Sequence, residues 1–263
     1  ELEDTLGARL FQRSSRGMVL TQQGYRFQAS ARKVLSAVSE AGTVDSDRAE
    51  SLSGQLDIGV TSLVAGYYLA DLFARFARSH PSVQVQVVED SPQFLEHLLV
   101  NGELDLAIMV SNQLGDPQAL VVEALTRAPN RVWMAGSHAL AAQQQPSLAD
   151  CAAHPQVVLE ADRVESVMRA MWSRLGLQPR VLMRTSSLEA VRSLIGVGAA
   201  IAILPDFLYR PWTLDAHHIE VRSLRDDVPT VDVGLVWRRG SRVREVVQEF
   251  IDIAREQARG RGR

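Results

Sequence analysis

Three short loops place hydroxyl side chains where helices begin: Thr61-Ser62, Ser91-Pro92-Gln93 and Thr185-Ser186-Ser187. Each follows a strand-like run and precedes a helix-like one. A helix amino terminus leaves backbone N–H groups without partners and carries partial positive charge, so several brought together suit an anionic group such as a carboxylate. Arg163, just after the apolar run Val157-Val158-Leu159, adds a guanidinium able to grip a carboxylate with two hydrogen bonds. Thr61, Ser62, Ser91, Gln93, Arg163, Thr185 and Ser186 are therefore the candidate ligand-binding residues. Taken singly, each hydroxyl reads as a plain N-cap, and Arg163 reads equally well as half of a surface ion pair. Only their convergence makes a site.

A second cluster is electrostatic. From Arg9 to Lys33 there are six basic residues and no acidic one, although the whole chain has a net charge of −3. Phe11-Gln12-Arg13 and Met18-Val19-Leu20 read as short strands around Ser14-Ser15-Arg16-Gly17, a hairpin whose glycine takes a positive φ cheaply. Arg13, Ser15 and Arg16 are candidates for contact with nucleic-acid phosphates, the alternative being a solvated basic turn. Helix end, basic hairpin and a new helix capped by Thr21 make up the back half of a winged helix-turn-helix.

Covalent and metal chemistry are poorly supplied. His80, His97, His138, His154, His217 and His218 are scattered, and none forms a two-histidine helical pair with a third ligand, so no metal and no cofactor are expected. Glu103 and Asp105 are close in sequence, and Asp226-Asp227 lies in a polar turn; both read as structural or solvated acids. Cys151, the single cysteine, sits in an apolar helix-like patch and reads as a buried small residue. No enzyme is expected.

The elements that must position these groups follow from periodicity. Leu2, Leu6 and Leu10 stripe one face of a helix that Gly7 ends early. From Gln22 to about Glu50 the pattern is helical, with Phe27, Ala31, Val34, Val38 and Ala41 stepping by four and three along one narrow seam. Such a stripe suits a second helix and is taken as a dimer contact, the alternative being packing on the chain's own body. Ser51-Leu52-Ser53-Gly54 reads as a hinge. Strands and helices then alternate: strand Gln55 to Val60, helix Tyr67 to Ser79, strand Val83 to Val88, helix Gln93 to Val100 and strand Leu104 to Val110. That order predicts a mainly parallel sheet with helices on both faces. Further strands are expected near 120–125, 131–135, 157–159, 180–183, 200–204, 219–223 and 231–237. Helices are expected at 164–175, 187–195 and 243–255, with Arg259 to Arg263 a disordered tail.

Length, 263 residues, allows one to two domains. With 46% hydrophobic and 22% charged residues the composition is ordinary for a globular protein. No apolar run reaches a membrane-spanning length, a lone cysteine suits a reducing compartment, and the expected location is the cytoplasm.

The string Leu2-Glu3, Leu6-Gly7, Leu10-Phe11, Arg13, Arg16, Leu20-Thr21 and Gly24 resembles the signature that closes the DNA-binding domain of LysR-type transcriptional regulators. Gly54-Gln55-Leu56-Asp57-Ile58-Gly59-Val60, Gly102-Glu103-Leu104-Asp105-Leu106-Ala107-Ile108 and Gly198-Ala199-Ala200-Ile201-Ala202-Ile203-Leu204-Pro205 extend the resemblance over the chain. It implies an α/β effector domain of two periplasmic-binding-protein-like subdomains, preceded by a partial winged helix-turn-helix and a long linker helix. The implied boundaries are 1–21 for the DNA-binding remnant, 22–50 for the linker, 54–127 with 229–263 for the first subdomain and 128–228 for the second. A family member would carry further residues ahead of Leu2, including most of the recognition helix. The implied function is ligand-responsive DNA binding as a homodimer or homotetramer. Its partners would be double-stranded DNA and a small anionic effector held between the subdomains, without a membrane. The alternative is a solute-binding protein with no DNA role.

Overall fold

The computed structural model describes residues 2–14, 17–21, 23–24, 27–28, 30–31, 34 and 52–261. At the amino end, helix α1 (Leu2–Leu6) closes at Gly7, whose φ of +61° is cheap only for glycine. Strands β1 (Phe11–Ser14) and β2 (Gly17–Leu20) pair antiparallel with Phe11 opposite Leu20 and Arg13 opposite Met18, the expected hairpin. Glu3 Oε1 accepts hydrogen bonds from the Leu10 and Phe11 amides, which hold its carboxyl below the usual range. Thr21 Oγ1 accepts from Gly24 N at 3.0 Å, capping the next helix as its position predicts. Phe27, Ala31 and Val34 lie in helical backbone, the first two half-buried and Val34 exposed. Val38, Ala41 and most of the rod expected over 22–50 lie outside the described residues, as do Ser15, Arg16 and the side chain of Arg13.

The body of the chain is two lobes with the same strand plan. The first sheet has the order β4 (Val83–Glu89), β3 (Gly54–Val60), β5 (Leu106–Val110), β12 (Val231–Arg238), β6 (Leu120–Ala128). β3 runs parallel to both neighbours, and β12 is antiparallel to both of its own. Alternation explains the layering. Leu106 and Ile108 belong to a core with Leu56, Ile58, Phe76 and Phe250, while Ala107 and Met109 belong to one with Leu95, Leu99 and Val236. Helix α2 (Ala70–Ser79) and the terminal helix α7 (Glu245–Arg261) cover the first face, Phe76 meeting Phe250 edge-on at 5.1 Å. Helix α3 (Pro92–Val100) covers the second.

In the second lobe β7 (Asn130–Ala135) lies between β10 (Ala202–Pro205) and β11 (Ile219–Ser223), antiparallel to both. β8 (Gln156–Leu159) and β9 (Val181–Thr185) form a parallel pair. They join the first three strands through a Gln156–Ile201 bridge, with Val157 N donating to Ile201 O at 2.9 Å. The order β9-β8-β10-β7-β11 thus repeats β4-β3-β5-β12-β6. Helix α4 (Leu148–Ala152) and α5 (Glu165–Leu175) cover one face, and α6 (Leu188–Gly196) the other. The chain passes between lobes at Pro129 and again near Pro229, where Asn130 Nδ2 donates to Pro229 O at 2.9 Å.

Three sequence expectations are corrected. The sheets are mixed rather than mainly parallel, because β12 and β7 each run antiparallel to both of their neighbours. The helix expected from Tyr67 begins at Ser62: a short α-turn (Ser62–Val64) and a π-helical stretch (Ala65–Leu69) lead without a break into α2. The π turn throws the apolar residues off the 3.6-residue period, which hides the first turns. The terminal helix, expected to end near Arg255 with a disordered tail over Arg259 to Arg263, continues to Arg261, with Gln257 buried and Ala258 packed on the first lobe; residues 262 and 263 lie outside the described ones.

Candidate functional site

The carboxyl ends of β3, β4, β8 and β9 meet between the lobes around a cavity of about 550 Å³. Its wall includes Ser62 after β3, Ser91 and Gln93 after β4, Arg163 after β8 and Ser186 after β9. Five of the seven residues singled out from sequence are therefore gathered in one place, where the loops of an open α/β sheet are expected to bind ligands. Thr61 and Thr185 are not on that wall. Thr61 is fully buried, and Thr185 Oγ1 accepts from Ser187 N at 3.0 Å, a turn within its own loop.

Some of the hydroxyls also do local work. Ser91 Oγ accepts from Phe94 N at 3.4 Å and Ser187 Oγ from Ala190 N at 3.2 Å, so each caps its helix. Thr61 occupies the corresponding position before Ser62 but makes no cap bond, and its hydroxyl has no partner among the described residues. The amide it would have capped goes elsewhere: Leu63 N donates to Asp162 Oδ2 at 2.8 Å, and Ser62 Oγ donates to Asp162 Oδ1 at 3.3 Å. Asp162 comes from the other lobe.

Arg163 also crosses the cleft. Its Nη1 donates to Glu96 Oε1 at 3.0 Å and to the Gln113 carbonyl, while Glu96 Oε2 accepts from Gly115 N at 2.6 Å. Glu96 is buried in α3, so this guanidinium satisfies a charge that otherwise has no water. Asp162 and Arg163 have φ of +51° and +61°, the left-handed region that non-glycine residues enter only when their surroundings hold them there. A further tie lies on the π stretch, where the guanidinium groups of Arg192 and Arg210 stand over the Tyr67 ring, 5.4 and 5.1 Å from its centre.

The cavity wall is richer in carboxylates than sequence reading anticipated: Glu89, Asp90, Glu160, Asp162 and Glu165. Glu160 pairs with Arg184 at 2.8 Å and Glu165 with Arg169 at 2.9 Å. Sequence reasoning missed Asp162 and Glu96. A lone acid in a loop and another on an amphipathic helix look like solvated charges, and the one available signal was the Asp162-Arg163 pair following a strand end.

The remaining polar groups are structural. Asp105 Oδ2 accepts from Asp57 N at 2.9 Å and pairs with Arg244 at 2.7 Å, while Asp226 Oδ2 accepts from Leu148 N at 2.7 Å. Cys151 is fully buried; desolvation, with help from Asp150 and Asp226, pushes its thiol up to about 12. Among the described residues no group of three acidic, histidine or cysteine side chains is placed to hold a metal, and no helix is long and apolar enough to cross a membrane.

This two-lobed design has known counterparts. Residues 49–259 match the LysR substrate binding domain, and the chain belongs to that family of transcriptional regulators. It is 26% identical over 261 residues to a hydrogen peroxide-inducible genes activator of Pectobacterium carotovorum subsp. carotovorum, covering 99% of this chain and 85% of that protein. It is 25% identical, with the same coverage, to the DNA-binding transcriptional dual regulator OxyR of Escherichia coli (strain K12). Among solved structures it resembles HinK, a LysR family transcriptional regulator from Pseudomonas aeruginosa, with a TM-score of 0.73 and 26% identity over 98% of this chain and 85% of that one. These relatives are regulators, not enzymes.

Proposed function

We propose that the chain is the sensing and wing-bearing part of a LysR-type regulator that works in the cytoplasm and answers to a small carboxylate-bearing metabolite. The observation that carries this reading is the inter-lobe cavity at the carboxyl ends of four strands, edged by Ser62, Ser91, Gln93, Arg163 and Ser186. Thr61 and Thr185 belong to the same loops and would help shape it. We assign residues 54–127 with 229–263 to the first subdomain and 128–228 to the second. In this reading the basic hairpin, with Arg13, Ser15 and Arg16, lies along DNA phosphates, and residues 22–50 pair two subunits through Phe27, Ala31, Val34, Val38 and Ala41. The assembly is a homodimer or a pair of them. Effector binding changes the closure of the lobes, and the linker carries that change to the DNA.

The peroxide response in the relatives' names is a poor guide to this chain's signal. Its one cysteine is buried with a thiol held neutral, and one cysteine makes no disulfide within the chain. A thermal-shift screen of organic acids, amino acids and aromatic carboxylates tests the sensor reading directly. A hit should lose about tenfold in affinity on Ser62→Ala or Arg163→Ala, a change of roughly 1.4 kcal/mol. The DNA reading is tested by binding to operator fragments as salt is varied. Arg13→Ala and Arg16→Ala should each weaken binding and lower the salt slope by about 1. A chain that binds the metabolite but no DNA in any ligand state would instead be a solute-binding protein.

A further inference from the structure

Helix α5 sets Glu165, Met168, Arg169 and Trp172 on one face, at the three- and four-residue steps that bring side chains to one side of a helix. Between that face and the sheet of the second lobe lies a cavity of about 160 Å³, bordered by Val158 of β8, Val181 of β9 and Ile203 of β10. In an apolar protein interior, a cavity of about 150 Å³ is enough to hold one benzene ring. Of the residues on its wall only Glu165 also borders the inter-lobe cavity, so the two spaces have otherwise separate linings. The charges on the wall are already matched: Arg169 Nη2 stands 2.9 Å from Glu165 Oε1, and Arg184 Nη1 2.8 Å from Glu160 Oε1. One polar atom is left over. Glu165 Oε2 is buried and has no hydrogen-bond partner among the described residues, whereas a buried carboxylate oxygen ordinarily accepts one.

We propose that this cavity is a small-molecule site separate from the inter-lobe cleft, and that it takes a flat, neutral molecule of one ring carrying a single O–H or N–H donor. The ring packs on Met168, Trp172 and Ile203, and the donor is held by Glu165 Oε2. Size sets the first requirement, since the space admits one ring and little more. Chemistry of the wall sets the second: a thioether and an indole favour the face and edge of an aromatic ring over a branched chain. Charge sets the third. An ion would lose its hydration beside apolar residues and unbalance two guanidinium–carboxylate pairs, whereas a neutral donor meets the one acceptor that stands without a partner. The site is independent of the sensor reading above and stands whatever the inter-lobe cavity binds.

The test compares phenol with toluene, which has nearly the same shape but no donor, and follows the methyl resonance of Met168 in the full chain. Phenol should shift that resonance saturably and bind about tenfold more tightly than toluene. Val181→Phe, which fills the cavity and leaves the inter-lobe wall alone, should abolish the shift. Glu165→Met, which keeps the side chain's length but removes the acceptor, should leave phenol and toluene binding equally. No saturable shift with either compound, equal affinities in wild type, or a phenol preference that survives Glu165→Met would overturn the proposal. So would phenol binding that Val181→Phe leaves intact, or one that shifts the Gln93 amide in the cleft and not Met168. Should Val181→Phe fail to fold, Val181→Leu replaces it: its added methylene should weaken phenol severalfold, and an unchanged affinity counts against the site.

Discussion

The two lobes share a strand order but differ in what they offer to the cleft. In the first, β3 turns directly into a helix and presents backbone amides. In the second, the topologically equivalent β8 is followed by Glu160 to Val164, which delivers Asp162 and Arg163 across the gap before α5 begins. The first sheet is continuous, β3 and β4 pairing over seven residues. The second is stitched together by one bridge; each sheet carries a register shift, between Val233 and Gly234 in the first and between Gln156 and Val157 in the second. The first lobe thus supplies backbone amides and the buried Glu96, and the second supplies the side chains that reach for them. A sensor needs that asymmetry, because only contacts that can be made in one state and broken in another respond to a ligand.

The harshest test of the comparison is core truncation on each side. Trp133→Ala in the second lobe and Phe250→Ala in the first should each cost about 3–5 kcal/mol in urea unfolding. If the cross-lobe ties couple the halves, both substitutions lower one shared transition; two resolved transitions, only one of them moving, would show the lobes to be independent. Next in size is Glu96→Ala, expected to cost about 2–4 kcal/mol by leaving the Gly115 amide without its acceptor and Arg163 without its carboxylate partner, only the Gln113 carbonyl remaining to it. Denaturation of the single and the Arg163→Ala double variant isolates that coupling.

Helix caps sharpen the contrast further. Ser147 heads α4 with a reciprocal capping box to Asp150, so Ser147→Ala should lose about 1 kcal/mol. Thr61→Ala should lose almost nothing, because the other lobe caps that helix. Smallest is a pH effect in the second lobe. Burial, then neighbouring His154, holds His138 below its ordinary value of 6.5, and its Nδ1 accepts from Leu140 N. The folded form therefore binds fewer protons, so stability should fall as pH drops through about 6.5 and flatten below the folded value. Denaturation midpoints at pH 7.5 and 5.5 should lie closer together in His154→Gln.

Much of the frame was legible because it is written in local patterns. The hairpin, the βαβαβ order and the two later helices follow from period-two and period-3.6 spacing, and five loop residues were placed at the cavity by the rule that strands of an α/β sheet bind at their carboxyl ends. Elsewhere local pattern was misleading. The π turn at Ala65–Leu69 hid a helix start, and the helix after Arg255 was obscured by Arg-Gly repeats that look like a tail. The lobes' common topology leaves no trace in residue identity, because two sheets need only matching burial to take the same form.

Residue order alone determined which segments become strands and helices, which loops open towards the inter-lobe cavity, and that a basic stretch precedes a mildly acidic remainder; each depends on neighbours a few positions away. Tertiary structure decided that Asp162 would cap a helix 99 residues distant and that Arg163 would satisfy buried Glu96. A carboxylate looks the same in sequence whether it faces water or an amide. The distinction arises only when folding removes the water and leaves one partner within 3 Å.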